Sequence, residues 1–149
     1  MSELAEILRR RHAAANALYL DLLDTLTPDL LRARLPGVRS SPVSNQFWCV
    51  VGGRESHVRA GHAGSWQGFT CSLDDDEDPA TVRTALERTA AEVAAWLDEI
   101  GSDDDPAWRF AVSLLEHETQ HQGQLIRYFY AVPLRIPESW IDRYALVPE

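Results

Sequence analysis

Four dipeptides in which a helix-capping residue precedes proline divide this 149-residue chain into segments. They are Thr27–Pro28, Ser41–Pro42, Asp78–Pro79 and Asp105–Pro106. A capping side chain accepts a hydrogen bond from the free N–H groups of the first helical turn, and proline at the next position loses no bond there. Each dipeptide therefore predicts the start of a helix, and Ser2 is predicted to cap the first long helix.

Apolar residues recur at spacings of three and four through four segments of roughly twenty residues, the period of a half-buried helix. The segments cover residues 2–26, 42 to Gly61 or Gly64, 79–100 and 106–131. No segment alternates as a strand does. We predict an all-α single domain over residues 1–149, a four-helix bundle with a crossover between helices 1 and 2 and a long loop between helices 2 and 3. The predicted core includes Phe47, Val50, Leu86, Val93, Trp96, Leu114 and Leu125.

The net charge of -9 argues against nucleic acid and anionic membranes as partners, because both are bound through clustered cations. The sequence has no lysine, which excludes Schiff-base chemistry. Glu3 and Glu6 near the start, and the absence of a long apolar run, predict no signal peptide and no membrane span. We expect a cytoplasmic protein that acts on a small-molecule substrate, with Cys49 and Cys71 as reduced thiols.

Two histidines interrupt the apolar stripe of the fourth helix. The stripe reads Phe110, Leu114, His117, His121, Leu125 and Tyr128. Histidines four residues apart lie one helical turn apart on the same face, about 6 Å, so both can reach one metal ion. The pattern predicts His117 and His121 as metal ligands. A pair of core histidines satisfied by hydrogen bonds, or a pair at a dimer seam, is the alternative.

The same residues satisfy HExxH, the zinc metalloprotease motif in which the glutamate, here Glu118, is the general base. Gly123 is one position early for the metzincin extension, and no histidine follows it. No predicted strand could present a peptide. We expect Glu118 on the flank of the helix and no peptidase activity, and the protease is the least favoured interpretation.

The stretch Leu114 to Arg127, with the pattern HExxHxGQ, resembles the last helix of the DinB/YfiT-like family. The resemblance implies a metal ion, zinc or nickel, held by the histidine pair and one residue of helix 2. It also implies a homodimer and the use of a low-molecular-weight thiol. Characterised members include thiol-dependent transferases and isomerases, and others are considered metal-dependent hydrolases.

The family's third ligand is usually a histidine in the middle of helix 2, where this sequence has Cys49. The resemblance therefore implies Cys49 as third ligand. His57, two turns after Cys49 on nearly the same side of the helix, is the alternative third ligand. Because eight residues of helix rise about 12 Å, Cys49 and His57 cannot both bind the same ion. We expect His57 to be exposed. Arg54, Arg127 and Tyr128 are expected to contact substrate or the ligands, and His12 and His62 are expected on the surface.

These observations predict a divalent-metal-dependent enzyme, a thiol-dependent transferase or isomerase or a hydrolase of a small molecule. The alternative is a non-catalytic, stress-associated metal-binding module that forms dimers. In either case we expect the chain to pair with itself through exposed aromatic residues such as Trp108, Phe129 or Trp140.

Overall fold

The computed structural model describes residues 2–148, and six helices lie in that range. They are α1 (Glu3–Leu23), α2 (Pro28–Leu31), α3 (Val43–Ala63), α4 (Pro79–Glu99), α5 (Trp108–Ala131) and α6 (Glu138–Tyr144). No residue from 2 to 148 lies in a strand, which confirms the all-helical prediction for this range. None of the helices described there is long and apolar enough to cross a bilayer.

Three helices begin at the predicted capping residues. The side chains of Ser2, Thr27 and Asp78 accept hydrogen bonds from backbone N–H groups three residues later, at the starts of α1, α2 and α4. The other two signals mark helices that begin later than predicted. Pro42 itself is the N-cap of α3. The Asp105 carboxylate accepts a hydrogen bond from the N–H of Ala107, only two residues later. This bond closes a tight turn before the helix, so α5 begins at Trp108.

The four long helices pack in a cycle: α3 contacts α5 and α4, and α1 contacts α4 and α5. Their apolar faces form two buried clusters, a larger one around Phe47 and Leu125 and a smaller one around Trp96 and Leu114. All seven predicted core residues are buried, as the apolar spacing indicated. Burying each large apolar side chain stabilises the fold by about 1.5–3 kcal/mol.

The aromatic residues that were expected to form a dimer surface are buried in the chain itself. The α6 helix packs against α1, and Trp140 donates its indole N–H to the carbonyl of Leu18 over 2.8 Å. Phe129 lies edge-on to Trp140, and Trp108 packs in the smaller cluster. The predicted surface is therefore wrong, because α6 turns Trp140 inwards against Phe129 and Trp108 packs between helices of the bundle. Self-association itself stays a prediction.

Candidate functional site

The two histidines of the predicted metal site face each other on α5. The Nε2 atoms of His117 and His121 are 3.2 Å apart, and the ring centroids are 4.6 Å apart. Two nitrogens bound to one tetrahedral zinc ion at about 2.0–2.1 Å lie about 3.4 Å from each other. The pair therefore has the spacing that a shared ion requires.

A side chain from α3 fixes the orientation of His121. Its Nδ1 lies 2.6 Å from the Oε1 atom of Gln46, and a carboxamide oxygen only accepts. The hydrogen is therefore on Nδ1, and the lone pair of Nε2 points towards His117. Metal-binding histidines are commonly held in this way through the other ring nitrogen. Gln46 was not among the predicted site residues, although a polar residue on the apolar stripe, one helical turn before Val50, is a signal that could have indicated it.

Gly53 lets α3 approach the ring of His117. A Cβ atom at position 53 would lie 2.6 Å from Cε1 and 2.7 Å from Nδ1 of His117, closer than such atoms can come. The Nδ1 atom of His117 is buried, with no hydrogen-bond partner in the part of the chain described. Glycine at this position therefore makes room for the imidazole.

His57 lies beside the pair and is half-buried, not exposed as expected. Its ring centroid is 6.0 Å from that of His117. Its Nδ1 donates to the carbonyl of Gly53 over 2.7 Å. The hydrogen is therefore on Nδ1, and Nε2 carries a lone pair that this hydrogen bond does not use. Three imidazoles from α3 and α5 are thus neighbours.

Cys49 is half-buried, and its sulfur accepts a contact of 3.7 Å from Asn45. Burial raises the pKa of the Cys49 thiol. No group of three or more His, Cys, Asp or Glu side chains placed to hold a metal ion is found in residues 2–148. In that range, neither Cys49 nor His57 completes a set of three ligands with His117 and His121. The identity of the third ligand therefore stays a prediction.

Arg54 and Tyr128, which were predicted to contact substrate or ligands, have partners within the protein. Tyr128 donates its hydroxyl to the carbonyl of Ser41. Arg54 is buried and donates to Glu118, to the Asn16 side chain and to a backbone carbonyl of α4. Arg127 is exposed and borders an open depression together with Gln46, Gln124 and Tyr128. Of the three, Arg127 is the one whose charge faces solvent.

Two expectations about the other side of α5 are wrong. Glu118 is only 1% exposed, and its Oε1 accepts from Arg54 over 2.8 Å. His12 is also buried, and its Nε2 donates to the carbonyl of Ala111 over 3.2 Å. Glu118 follows His117 by one residue, about 100° around the helix, which turns it into the core between α1, α3 and α4. His62 is exposed as expected, although it lies in the last turn of α3.

The buried ion pair weighs against the protease interpretation. Burial raises the pKa of Glu118, but the charge of Arg54 and the contact with His12 lower it more, and the pKa is about 2. A carboxylate with so low a pKa is a weak base, and Arg54 already occupies it. Glu118 therefore lacks the properties of the HExxH general base.

The imidazoles of the site are neutral at pH 7. Burial, followed by the neighbouring His117, lowers the pKa of His121 to about 4. Burial also lowers the pKa values of His117 and His57. A metal ion binds only the neutral imidazole, so these side chains need lose no proton to bind one at pH 7.

We expect the metal-free protein to lose stability between pH 6.5 and 4. The pKa of His121 is about 4 when folded and close to 6.5 when unfolded, so the unfolded chain binds more protons in this range. The free energy of unfolding should fall by about 2 kcal/mol from this residue, after allowance for solvent screening. Urea unfolding at several pH values measures it. His121→Gln should flatten the dependence, the exposed control His62→Gln should not, and equal slopes in all three proteins would contradict the assignment.

Comparisons with protein-family models, with curated proteins and with solved structures gave no match. The features of the chain that indicate a function are therefore the geometry of the histidine pair and the HExxHxGQ stretch.

Proposed function

We propose that this chain is a DinB/YfiT-like metal-dependent enzyme. Its long helices α1, α3, α4 and α5 would form the four-helix bundle, with the crossover before α3 and the long loop after it. His117 and His121 bind zinc or nickel. The observation that carries the proposal is the 3.2 Å separation of their Nε2 atoms, with His121 oriented by Gln46.

The third ligand comes from α3 in this proposal. Cys49 is supported by its place in the family resemblance, and a thiolate is a strong zinc ligand. His57 is supported by its ring, 6.0 Å from that of His117, since two imidazoles on one tetrahedral ion have centroids about 5 Å apart. The substitutions described below distinguish the two.

Three protein ligands leave a coordination position at which a bound ion lowers the pKa of a thiol or water and makes it nucleophilic near neutral pH. The residues of this chain prepare that position. Neutral imidazoles supply the lone pairs, Gln46 holds the ring of His121, and Gly53 leaves space for His117. Arg127 offers a positive charge to an anionic group of a small substrate or of a low-molecular-weight thiol.

Elemental analysis tests the metal centre. Protein purified without added metal and then incubated with one equivalent of zinc or nickel should retain it through gel filtration. His117→Ala and His121→Ala should each lose stoichiometric metal, whereas His62→Ala, an exposed control on α3, should keep it. The variant that weakens binding among Cys49→Ser and His57→Gln identifies the third ligand. Retention of full metal by both histidine-pair variants would overturn the proposal.

A second candidate is the non-catalytic, stress-associated dimeric module. It is favoured by the same 3.2 Å distance, which is also that of an N–H···N hydrogen bond between two neutral imidazoles. A pair satisfied in this way needs no ion, and an ion closed off by a fourth protein ligand would only join the helices. Cobalt-substituted protein separates the cases, because addition of a thiol changes its visible spectrum only where a coordination position is open.

A further inference from the structure

A second cavity, of about 280 Å³, lies between α1 and α4, away from the histidine pair. Its polar wall includes Arg9, His12, Asn16, Arg54 and Glu118, and its opposite wall is formed by small side chains of α4 such as Ala94. At roughly 30 Å³ for each water-sized group, this volume holds about nine non-hydrogen atoms. The cavity is therefore large enough for a small organic molecule.

Two buried polar atoms of residues that line this cavity have no hydrogen-bond partner among residues 2–148. Arg54 binds Oε1 of Glu118 and leaves Oε2 without a partner. Nε2 of His12 bonds to a carbonyl, and its Nδ1 lies 3.7 Å from that same Oε2, too far for a hydrogen bond. Buried polar atoms without a partner are unfavourable, so both atoms favour a ligand that bonds to them.

Arg9 provides the complementary group. Its Nη2 pairs with Asp98 over 2.6 Å, while its buried Nε has no hydrogen-bond partner in the described part of the chain. The ionic groups nearby balance each other, since Arg54 pairs with Glu118 and Arg9 with Asp98. A fitting ligand therefore has no net charge, donates a hydrogen bond to Oε2 of Glu118, bonds to Nδ1 of His12, and accepts a hydrogen bond from Nε of Arg9.

We propose that this cavity binds a compact, net-neutral molecule with an amine or hydroxyl donor and a carboxylate or carbonyl acceptor, of which a small zwitterionic amino acid is the simplest. The proposal needs no metal ion and does not depend on the proposed metal centre. It assigns a role to the Glu118 and His12 atoms that have no partner within residues 2–148. The small α4 side chains fit this role, because they keep the space beside those atoms open.

Titration of the full chain with glycine, L-alanine and L-serine, followed by amide chemical shifts, tests the proposal. Saturable shifts of α1 and α4 resonances are expected from these probes, and much weaker ones from acetate or methylammonium, which supply only one of the two functions. Ala94→Leu fills the cavity and should abolish the shifts. The matched control Ala95→Leu, exposed on the same helix and outside the cavity, should leave them unchanged.

Arg9→Met keeps the cavity and removes the donor, so it should weaken binding about ten-fold, the effect of losing one charge-assisted hydrogen bond. Arg9→Met also tests the proposal if the Ala94→Leu variant does not fold. Absence of saturable shifts with all three amino acids would show that water alone fills the cavity and would overturn the proposal. Equal binding by Arg9→Met and the wild type would overturn it too.

Discussion

Glu118→Gln should lower the free energy of unfolding by about 3–5 kcal/mol, because it removes one partner of a buried ion pair. The Arg54 guanidinium is 2% exposed, and its contacts with Asn16 and a backbone carbonyl do not neutralise its charge. An uncompensated charge in the core is strongly unfavourable. Urea unfolding of the metal-free protein at pH 7 measures the effect and keeps it separate from any metal binding.

Two further variants show whether the charge is the cause. Glu116→Gln changes an exposed glutamate on the same helix and should alter stability by no more than about 0.5 kcal/mol. The double variant Arg54→Met, Glu118→Leu removes both charges and should recover most of the loss, since apolar replacements of buried ion pairs are often neutral. If Glu118→Gln is as mild as Glu116→Gln, the ion pair is not buried in solution as described.

Gly53→Ala should reduce metal affinity about 10- to 100-fold, the range seen when the support of a ligand histidine is disturbed. Alanine ordinarily stabilises a helix by about 0.5–1 kcal/mol relative to glycine. At position 53, however, the new Cβ would lie 2.6 Å from the His117 ring, which must then move away from its place opposite His121. Competition with a chromophoric chelator measures the change. This prediction depends on the proposed metal centre.

Gly123→Ala is the matched control for that substitution. It lies on α5 two residues after His121, and a Cβ there meets no heavy atom within 4 Å. It should keep wild-type metal affinity and gain a few tenths to about 1 kcal/mol of stability. Wild-type affinity in Gly53→Ala would show that the close approach of α3 does not position His117.

The sequence predicted those parts of the fold that depend on neighbouring residues. Capping by Ser2, Thr27 and Asp78, and apolar spacing along each helix, act within a few residues of the chain. The start of α5 was misplaced because Asp105 bonds two residues ahead, in a turn, and not three ahead as a cap does. The correct and the misplaced helix starts thus differ only in whether the side chain bonds to the N–H three residues later or two residues later.

The candidate site was predictable only in part. His117 and His121 were found because both lie on one helix. Gln46 and Gly53 contact these histidines from α3. Which residues of α3 face α5 depends on how the two helices pack, and the sequence pattern of neither helix specifies that packing. The ion pair of Arg54 and Glu118 likewise joins residues 64 positions apart. His12 could have been found, since it continues a buried stripe with Leu8, Ala15 and Tyr19.

The bond between Trp140 and the carbonyl of Leu18 joins positions 122 residues apart in the chain. Trp140 also belongs to the larger apolar cluster, with Leu22 of α1 and Phe47 of α3. During synthesis, α1, α3 and α4 emerge from the ribosome before this indole exists, and their apolar faces remain incompletely covered until it arrives. Contacts of such large sequence separation slow folding, and uncovered apolar surface attracts chaperones and other chains. The α1 helix therefore reaches its final packing only after α6 has been made.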